Sequence, residues 1–151
     1  MMSHETTLQK AERHYDAAYY LLNVTLPAVK DSKLMLGIME NIFNSLESAM
    51  IAALLHTGKT CPENFGAKLA LFQEKFAGDS TPDFDSLIEI KNIRELHQKT
   101  SIEFRRGDSF VLCHKDYRMK PLTTMDVAKH LKNTEKILGL VRTITSQDRK
   151  N

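Results

Sequence analysis

The sequence predicts an all-α fold: an up-and-down bundle of four long helices and one short helix, with a small β-hairpin before the last helix. Three observations support this prediction. Apolar residues recur at spacings of three and four along most of the chain, the connections between these stretches are short, and residues 110–120 combine a β-prone run with a stretch that alternates with a period of two. With 151 residues, the chain has enough material for a single domain, residues 1–151, with a substantial core.

The first two helices follow from their apolar stripes and from residues that start or stop helices. The first is expected over residues 5–26, where Pro27 ends or bends it, because proline has no N–H to donate within a helix. A second long helix is expected to be capped by Asp31 or Ser32 and stopped by Gly58. Its apolar face is wide, which indicates a central position in the bundle or a second apolar contact such as a dimer interface.

The next two helices are separated by a break at residues 78–81. Pro62 suits the first turn of a short third helix that reaches about residue 77. Pro82 suits the first turn of a fourth helix. This helix is expected to end at residues 105–107, Arg-Arg-Gly, since cations and a glycine favour a helix C-terminus.

The stretch after the fourth helix lacks helical periodicity. Residues 110–113 are a short β-prone run, residues 114–116 are polar, and residues 117–120 alternate between aromatic or apolar and basic side chains. This pattern predicts a hairpin with one apolar and one basic face. Thr123 and Asp126 then resemble a capping box, with Asp in place of the usual Glu, and start a fifth helix that covers most of the remaining chain.

Charge is unevenly distributed along the chain. The net charge is +2, but residues 1–90 carry 7 Lys and Arg against 12 Asp and Glu, whereas residues 91–151 carry 14 against 7. Such an asymmetry is typical of a protein with an anionic partner, or of an interface between unlike surfaces. It also arises when two parts of one domain fold against each other and neutralise part of their charge.

Neither the composition nor the N-terminus suggests membrane insertion or export. The longest uncharged stretch, residues 17–29, contains Pro27 and is shorter than the roughly 20 residues that span a bilayer. Residues 1–10 lack the apolar core of a signal peptide, and neither Cys61 nor Cys113 has a CxxC partner. We therefore expect a cytoplasmic protein with reduced cysteines and no membrane partner.

The sequence contains no complete catalytic or cofactor-binding motif. It has no Glu-x-x-His pair, no His-Glu-x-x-His, no glycine-rich phosphate loop and no Gly-x-Ser-x-Gly. Cys113 and His114 are adjacent, but neighbouring strand residues point to opposite faces and make a poor chelate. We therefore expect no metal site and no bound cofactor.

Two Arg/His pairs remain as catalytic candidates. His97 lies on the expected inner side of the fourth helix, three residues after Arg94. It is either a core histidine with a hydrogen-bond partner or an acid or base. His114 stands at the expected hairpin turn, eight residues after Arg106. A histidine in a turn is usually only solvated, whereas a functional one would transfer protons while the arginine stabilises a phosphate.

Basic residues concentrate around the expected hairpin, interleaved with Phe110 and Tyr117. Cations contact phosphates and aromatic rings stack on unpaired bases, so the segment is a candidate for binding nucleic acid. Alternatively, the apolar side chains fasten the hairpin to the bundle and the cations are only solvated. The candidate nucleic-acid-binding residues are Arg105, Arg106, Lys115, Arg118 and Lys120.

The helical layout and two short parts of the chain resemble a known family. Residues 11–15 (AERHY) lead into a long first helix, and residues 104–108 and 117–123 resemble a segment that enters a last helix. Together with the layout, which covers nearly the whole chain, they resemble the HEPN superfamily (higher eukaryotes and prokaryotes nucleotide-binding), particularly its small archaeal members. The resemblance implies a helical bundle and a homodimer. The family includes ribonucleases, whose Arg and His, four to six residues apart, act on RNA at the dimer interface.

This sequence departs from the ribonuclease pattern. Arg94 precedes His97 by too few residues, and Arg106 precedes His114 by too many. No catalytic residue is therefore carried over, and two functions stay open. The first is a non-catalytic, dimeric module that binds a protein or RNA. The second is a metal-independent ribonuclease with displaced Arg and His residues.

Overall fold

The computed structural model describes residues 4–58, 60–76, 84–99, 102–107, 109–113 and 119–146. The helical elements are α1 (His4–Tyr20), a π-helical segment (Leu21–Thr25), α2 (Leu26–Val29), α3 (Leu34–His56), α4 (Phe65–Phe76), α5 (Phe84–Lys99) and α6 (Thr124–Ser146). The strands β1 (Ile102–Arg106), β2 (Ser109–Cys113) and β3 (Met119–Leu122) lie between α5 and α6.

α3 is the central helix of the bundle. It contacts α1, α4, α5 and α6, and its most extensive contacts are with α1 and α6. More than half of its residues are buried, among them Ile38, Leu46 and Met50. Burying a side chain of this size contributes about 1.5–3 kcal/mol, so α3 supplies a large part of the core. The predicted fold class, a helical bundle with a small sheet before the last helix, is confirmed.

The first helical stretch continues past its predicted end but changes its winding. α1 gives way to the π-helical segment, in which the Leu26 N–H donates to the Leu21 oxygen, and α2 then continues to Val29. Pro27 lies in the first turn of α2. In a regular α-helix its ring would collide with the carbonyl four residues earlier, so the wider turn before Pro27 accommodates it.

Two helix starts differ from the prediction. The capping position of α3 is Lys33, which has no side-chain cap. Ser32 is therefore not the cap, and Asp31 Oδ1 accepts the Lys33 N–H (3.0 Å) in the preceding turn. Pro62 precedes α4 instead of lying in it, and the Asn64 side chain caps this helix by accepting a backbone N–H at 3.1 Å. In both places a short polar side chain binds a nearby amide, as is common in turns.

The fourth predicted helix, α5, ends earlier than predicted, and a strand replaces its expected last turns. α5 ends at Lys99 and is followed by β1. The prediction that this helix reaches residues 105–107 is wrong, because a glycine after two cations suits a hairpin turn as well as a helix end. Gly107 has a φ of +60° and lies between β1 and β2. The predicted break at residues 78–81 and the start at Pro82 lie outside the described residues.

β2 is the central strand of a three-stranded antiparallel sheet in the order β1-β2-β3. The predicted hairpin is confirmed as β2 and β3, in which Phe110 opposes Leu122 and Leu112 opposes Lys120. Its predicted turn, residues 114–116, lies outside the described residues. Phe110, Leu112 and Leu122 belong to the bundle core. The apolar side chains therefore fasten the sheet to the helices.

α6 begins with the predicted capping box. The Asp126 N–H donates to Thr123 Oγ1 at 3.1 Å, and the Thr123 N–H donates to Asp126 Oδ2 at 3.4 Å. A cap of this kind stabilises a helix by about 0.5–2 kcal/mol.

At 23 residues each, α3 and α6 are long, but no helix in the described ranges is apolar enough along its length to cross a membrane.

The two oppositely charged parts of the sequence pair with each other in the fold. In the described part of the chain, four ion pairs join a cation of residues 91–151 to a carboxylate of residues 1–90, so the charge asymmetry is partly neutralised within the domain. Each pair is at the surface and contributes at most about 1 kcal/mol. The pairs are Arg94–Glu40 (3.3 Å), Arg105–Asp31 (2.9 Å), Lys120–Glu89 (3.1 Å) and Arg142–Glu12 (2.9 Å).

Candidate functional site

A cavity of about 390 Å³ lies where separate parts of the chain meet. Its walls come from the π-helical segment with α2, from the start of α3, from β1 with the following turn, and from the start of α6. Its apolar wall consists of Leu22, Leu26, Pro27 and Met35. The volume falls within the range of small-molecule sites, roughly 300–1,000 Å³.

The polar side of the cavity is cationic. Lys30 and Arg105 line it, and Arg105 Nη2 lies 2.9 Å from Asp31 Oδ1. The same Asp31 oxygen accepts the Lys33 N–H at 3.0 Å, so one carboxylate connects β1 to the start of α3. The Arg105 side chain is 59% exposed, which leaves other donors of its guanidinium open to a ligand.

Two long helices begin at the cavity. Ser32 and Met35, which line it, lie on either side of the first residue of α3, and Thr124 is the first residue of α6. The N-terminus of a helix carries a partial positive charge from the aligned peptide dipoles. Both helix starts therefore add to the positive potential of Lys30 and Arg105, and the Asp31 and Asp126 carboxylates near them offset part of this potential.

The Ser32 hydroxyl forms no hydrogen bond within the described residues, although Ser32 is only 8% exposed. Buried hydroxyls nearly always have a partner, and an unpaired one costs roughly 1–3 kcal/mol. Because Ser32 lines the cavity, a group bound there is a natural partner for this hydroxyl.

Lys30 has a backbone conformation that is unfavourable for lysine. Its φ of 59° and ψ of 34° are left-handed, at the end of α2, where glycine is usual. It is the only non-glycine residue with a positive φ in the described part of the chain. A side chain in this conformation costs on the order of 1–2 kcal/mol. Strained residues concentrate at functional sites, and this one lies on the cavity wall.

Arg94 and His97, two of the catalytic candidates, line a different and much smaller crevice. Its volume is about 10 Å³, barely enough for one water molecule. Arg94 Nη2 lies 3.3 Å from Glu40 Oε1, and the guanidinium carbon lies 4.1 Å from the centre of the Phe43 ring. His97, which was expected on the inner side, is 40% exposed, and its Nδ1 lies 2.7 Å from Glu103 Oε1. Both candidates are engaged by side chains of the protein itself.

The other predicted site residues have separate surroundings. Arg105 lines the cavity. The guanidinium carbon of Arg106 lies 5.9 Å from the centre of the Phe104 ring, and Lys120 Nζ lies 3.1 Å from Glu89 Oε1. These contacts give each described cation a neighbour of its own. Outside the described residues lie His114, Lys115 and Arg118.

A buried polar cluster between α5 and α6 was not predicted. His130 Nδ1 lies 2.8 Å from Ser86 Oγ. His130 Nε2 lies 3.8 Å from Glu89 Oε1 and forms no hydrogen bond in the described ranges. Burial lowers the pKa of His130, although the nearby Glu89 carboxylate opposes the shift. The sequence does contain a signal for this burial, because His130 lies beside Leu131 in the apolar stripe of α6.

Lys30, Ser32 and Thr124 were not predicted as site residues either. They come from different turns and helix ends, and none belongs to a recognisable motif, so only the folded chain shows that they are close. Arg105 is the predicted residue that joins them.

Within the described ranges, no group of three or more His, Cys, Asp and Glu side chains is arranged to hold a metal ion.

The fold and the cavity define a class of protein: a helical bundle with a small antiparallel sheet and a cationic cavity between them. Comparison with known proteins adds no relative, because no protein-family model, no curated protein and no solved structure matches the chain. The function must therefore be inferred from the geometry of the chain itself.

Proposed function

We propose that this protein is a non-catalytic, dimeric helical-bundle module that binds single-stranded RNA near the cavity. The observation that carries the proposal is the position of Lys30 and Arg105 on the wall of one cavity, at the starts of α3 and α6. Cations and helix N-termini both attract phosphate groups. We call the surface formed by Lys30, Lys33 and Arg105, together with Arg106 on the other face of the edge strand β1, the Arg105 surface.

The Arg105 surface brings together cations from two distant parts of the sequence. Asp31 connects them, since its Oδ1 contacts both the Arg105 guanidinium and the Lys33 N–H. Arg106 points to the other face of β1, because neighbouring strand residues alternate, and it lies beside the Phe104 ring. β1 is an edge strand of the sheet. The Phe104 ring lies on the same face of β1 as Arg106 and offers an unpaired base a place to stack beside that cation.

The test is fluorescence anisotropy of labelled single-stranded RNA in EDTA, with the double variant Arg105→Gln, Arg106→Gln. We expect its affinity to fall about tenfold, and wild-type affinity to fall with salt, because phosphate contacts release counterions. The double variant Lys132→Gln, Lys136→Gln is the matched control, since it removes two charges from exposed positions on α6. Full RNA affinity in the folded Arg105→Gln, Arg106→Gln variant, checked by circular dichroism, would refute the proposal.

The dimeric part of the proposal rests on apolar side chains at the end of the first helical stretch. Tyr19, Tyr20, Val24 and Val29 are each about half exposed and close in sequence. Exposed apolar groups of this kind mark protein interfaces, and the HEPN-like layout also implies a homodimer. We expect sedimentation equilibrium to give a dimer for the wild type and a monomer for Tyr20→Ser, Val24→Ser. A monomeric wild type would remove this part of the proposal and leave the RNA part intact.

The ribonuclease alternative keeps one supporting observation, which is that Arg94 and His97 line the same crevice. Against it, the crevice is too small for a ribose phosphate, and both side chains contact carboxylates of the protein. This alternative predicts RNA cleavage in EDTA with a 2′,3′-cyclic phosphate product, lost in His97→Ala or His114→Ala. Our proposal predicts intact RNA in the same reactions.

A further inference from the structure

We infer that the cavity beside Arg105 binds a phosphomonoester, that is, one dianionic phosphate attached to an apolar body. The phosphate would contact Lys30 and Arg105, and the attached body would contact the apolar wall. This site goes beyond the proposed RNA surface, because a cavity of about 390 Å³ receives one group of atoms and not a length of strand.

The polar elements of the cavity have the chemistry of a phosphate site. Arg105 offers a planar fork of donors that matches two phosphate oxygens, and Lys30 offers a compact positive charge. The starts of α3 and α6 add the positive ends of two 23-residue helices. Among the described residues that line the cavity, none is acidic. An anion entering the cavity therefore meets attraction on its polar side.

The unpaired Ser32 hydroxyl is an independent indication of a ligand. Ser32 lines the cavity and is buried, yet its Oγ lacks a hydrogen-bond partner in the part of the chain that the structure describes. A phosphate oxygen would accept a hydrogen bond from the Ser32 hydroxyl. Lys30, two residues earlier, is held in a left-handed conformation. Two departures from low-energy structure thus meet on one cavity wall, which is typical of binding sites.

The apolar wall indicates that the phosphate is attached to a larger group. Leu22, Leu26, Pro27 and Met35 form this wall. Inorganic phosphate would leave these side chains in contact with water, whereas an apolar or aromatic body would cover them and gain affinity from their burial.

Asp31 explains why the ligand should be a dianion. Its carboxylate pairs with Arg105 at 2.9 Å, so a ligand that binds the remaining donors of this guanidinium meets a cation whose charge is already partly neutralised. A second carboxylate would gain little from this cation, whereas a phosphate carries more charge and three acceptor oxygens. Asp31→Asn removes the neutralising charge and should strengthen phosphate binding.

The first experiment is an NMR titration of the ¹⁵N-labelled full chain with phenyl phosphate, phenyl sulfate and inorganic phosphate. Phenyl phosphate should bind about tenfold more tightly than the other two, because phenyl sulfate carries less charge and inorganic phosphate has no apolar part. The amide signals of Ser32, Gly107 and Thr124 should shift. Equal binding of the three compounds, or no shift at these amides, would overturn the inference.

Lys30→Gln and Lys33→Gln are a matched pair of variants, with the same change of charge three residues apart. Both lysines are exposed, but Lys30 lines the cavity and Lys33 does not. Lys30→Gln should weaken phenyl phosphate binding about tenfold, and Lys33→Gln by less than about twofold. Equal losses would mean that the anion is held only by the general positive potential, and the site would be rejected.

Two RNA oligonucleotides of one sequence, with a 5′-phosphate or a 5′-hydroxyl, identify the source of the phosphate. A preference for the 5′-phosphate that Lys30→Gln removes would assign the cavity to the end of an RNA. Equal binding of both, with phenyl phosphate still in the cavity, would assign it to a free organic phosphate. RNA binding without any response to phenyl phosphate or the 5′-phosphate would refute the site and keep the RNA proposal. Phenyl phosphate binding without RNA binding would keep the phosphate site and refute the RNA proposal.

Discussion

Arg94 and Arg105 both pair with a carboxylate from the first part of the chain, but their surroundings differ. Arg94 contacts Glu40 at 3.3 Å, lies 4.1 Å from the Phe43 ring centre, and faces a crevice of about 10 Å³. Arg105 contacts Asp31 at 2.9 Å and faces a cavity of about 390 Å³. An arginine is therefore a candidate binding group only where free volume accompanies it. At Arg94 the protein's own side chains already fill the place of a ligand.

The difference assigns different roles to the two arginines. Arg94 joins α5 to α3, because Glu40 and Phe43 both belong to α3. Its contribution is to stability. Arg105 joins β1 to the turn before α3 by one carboxylate and leaves part of its guanidinium exposed. Its proposed contribution is to ligand binding, and replacing each arginine with glutamine separates the effect on stability from the effect on binding.

The largest expected effect is the loss of phosphate binding in Arg105→Gln. Its affinity for phenyl phosphate should fall at least tenfold, or about 1.4 kcal/mol, whereas Arg94→Gln should stay within about twofold of the wild type. In urea denaturation the order should reverse. Arg94→Gln loses an ion pair and a cation–π contact, about 0.5–1 kcal/mol, and Arg105→Gln loses less than about 0.5 kcal/mol. Equal binding losses would contradict a special role for the space beside Arg105.

His130 extends the comparison to a polar group that is enclosed on all sides, with only 1% of the residue exposed. Burial holds its pKa below the ordinary 6.5, so between the two pKa values the unfolded chain binds a proton that the folded chain does not. The free energy of unfolding should therefore fall as the pH drops below about 6.5, by up to about 1.4 kcal/mol per pH unit. The loss should stop below the folded-state pKa.

His130→Gln should flatten this part of the pH dependence, measured by urea denaturation between about pH 7.5 and 5.5. The other titrating groups are common to both proteins, so the difference between the two curves reports His130. Identical slopes in both proteins would show that His130 is not held neutral by burial. Phenyl phosphate binding should be unchanged in this variant, because His130 does not line the cavity.

The smallest expected effect is a gain of stability in Lys30→Gly, by about 0.5–1 kcal/mol, because glycine adopts the left-handed conformation without strain. The same variant should lose phenyl phosphate affinity as Lys30→Gln does. Gly58→Ala is the mirror-image control: Gly58 has a φ of +75°, and alanine there should cost about 1 kcal/mol. A Lys30→Gly protein less stable than the wild type would mean that the lysine side chain supports the fold.

The helices and the hairpin were predictable because their patterns are completed within a few residues. Thr123 and Asp126 close their capping box within one turn, so the start of α6 follows from four residues of sequence. Residues 110–113 form one continuous β-prone run, and Phe110, Val111 and Leu112 are all buried in β2. Neither feature depends on a distant part of the chain.

The remaining features depend on distant partners. An Arg-Arg-Gly sequence fits both a helix end and a hairpin turn, and pairing with β2 decides that residues 102–106 form a strand. The cavity joins Lys30 and Ser32 to Arg105 and Thr124, which lie far away in sequence and share no motif. Of these four residues, only Arg105 was predicted as a site residue, because it is one of the cations around the hairpin. The free volume beside it results from packing and has no counterpart in a local pattern.

The position of α6 in the bundle has a consequence for the synthesis of the protein. α6 follows the other described helices in the chain, yet it packs on α1 and α3, and it adds the Arg142–Glu12 (2.9 Å) and Tyr15–Glu135 (3.0 Å) hydrogen bonds to α1. A ribosome makes the long N-terminal helices well before the one that covers them. The nascent chain therefore presents an uncovered apolar face until α6 leaves the exit tunnel, which is the state that chaperones bind.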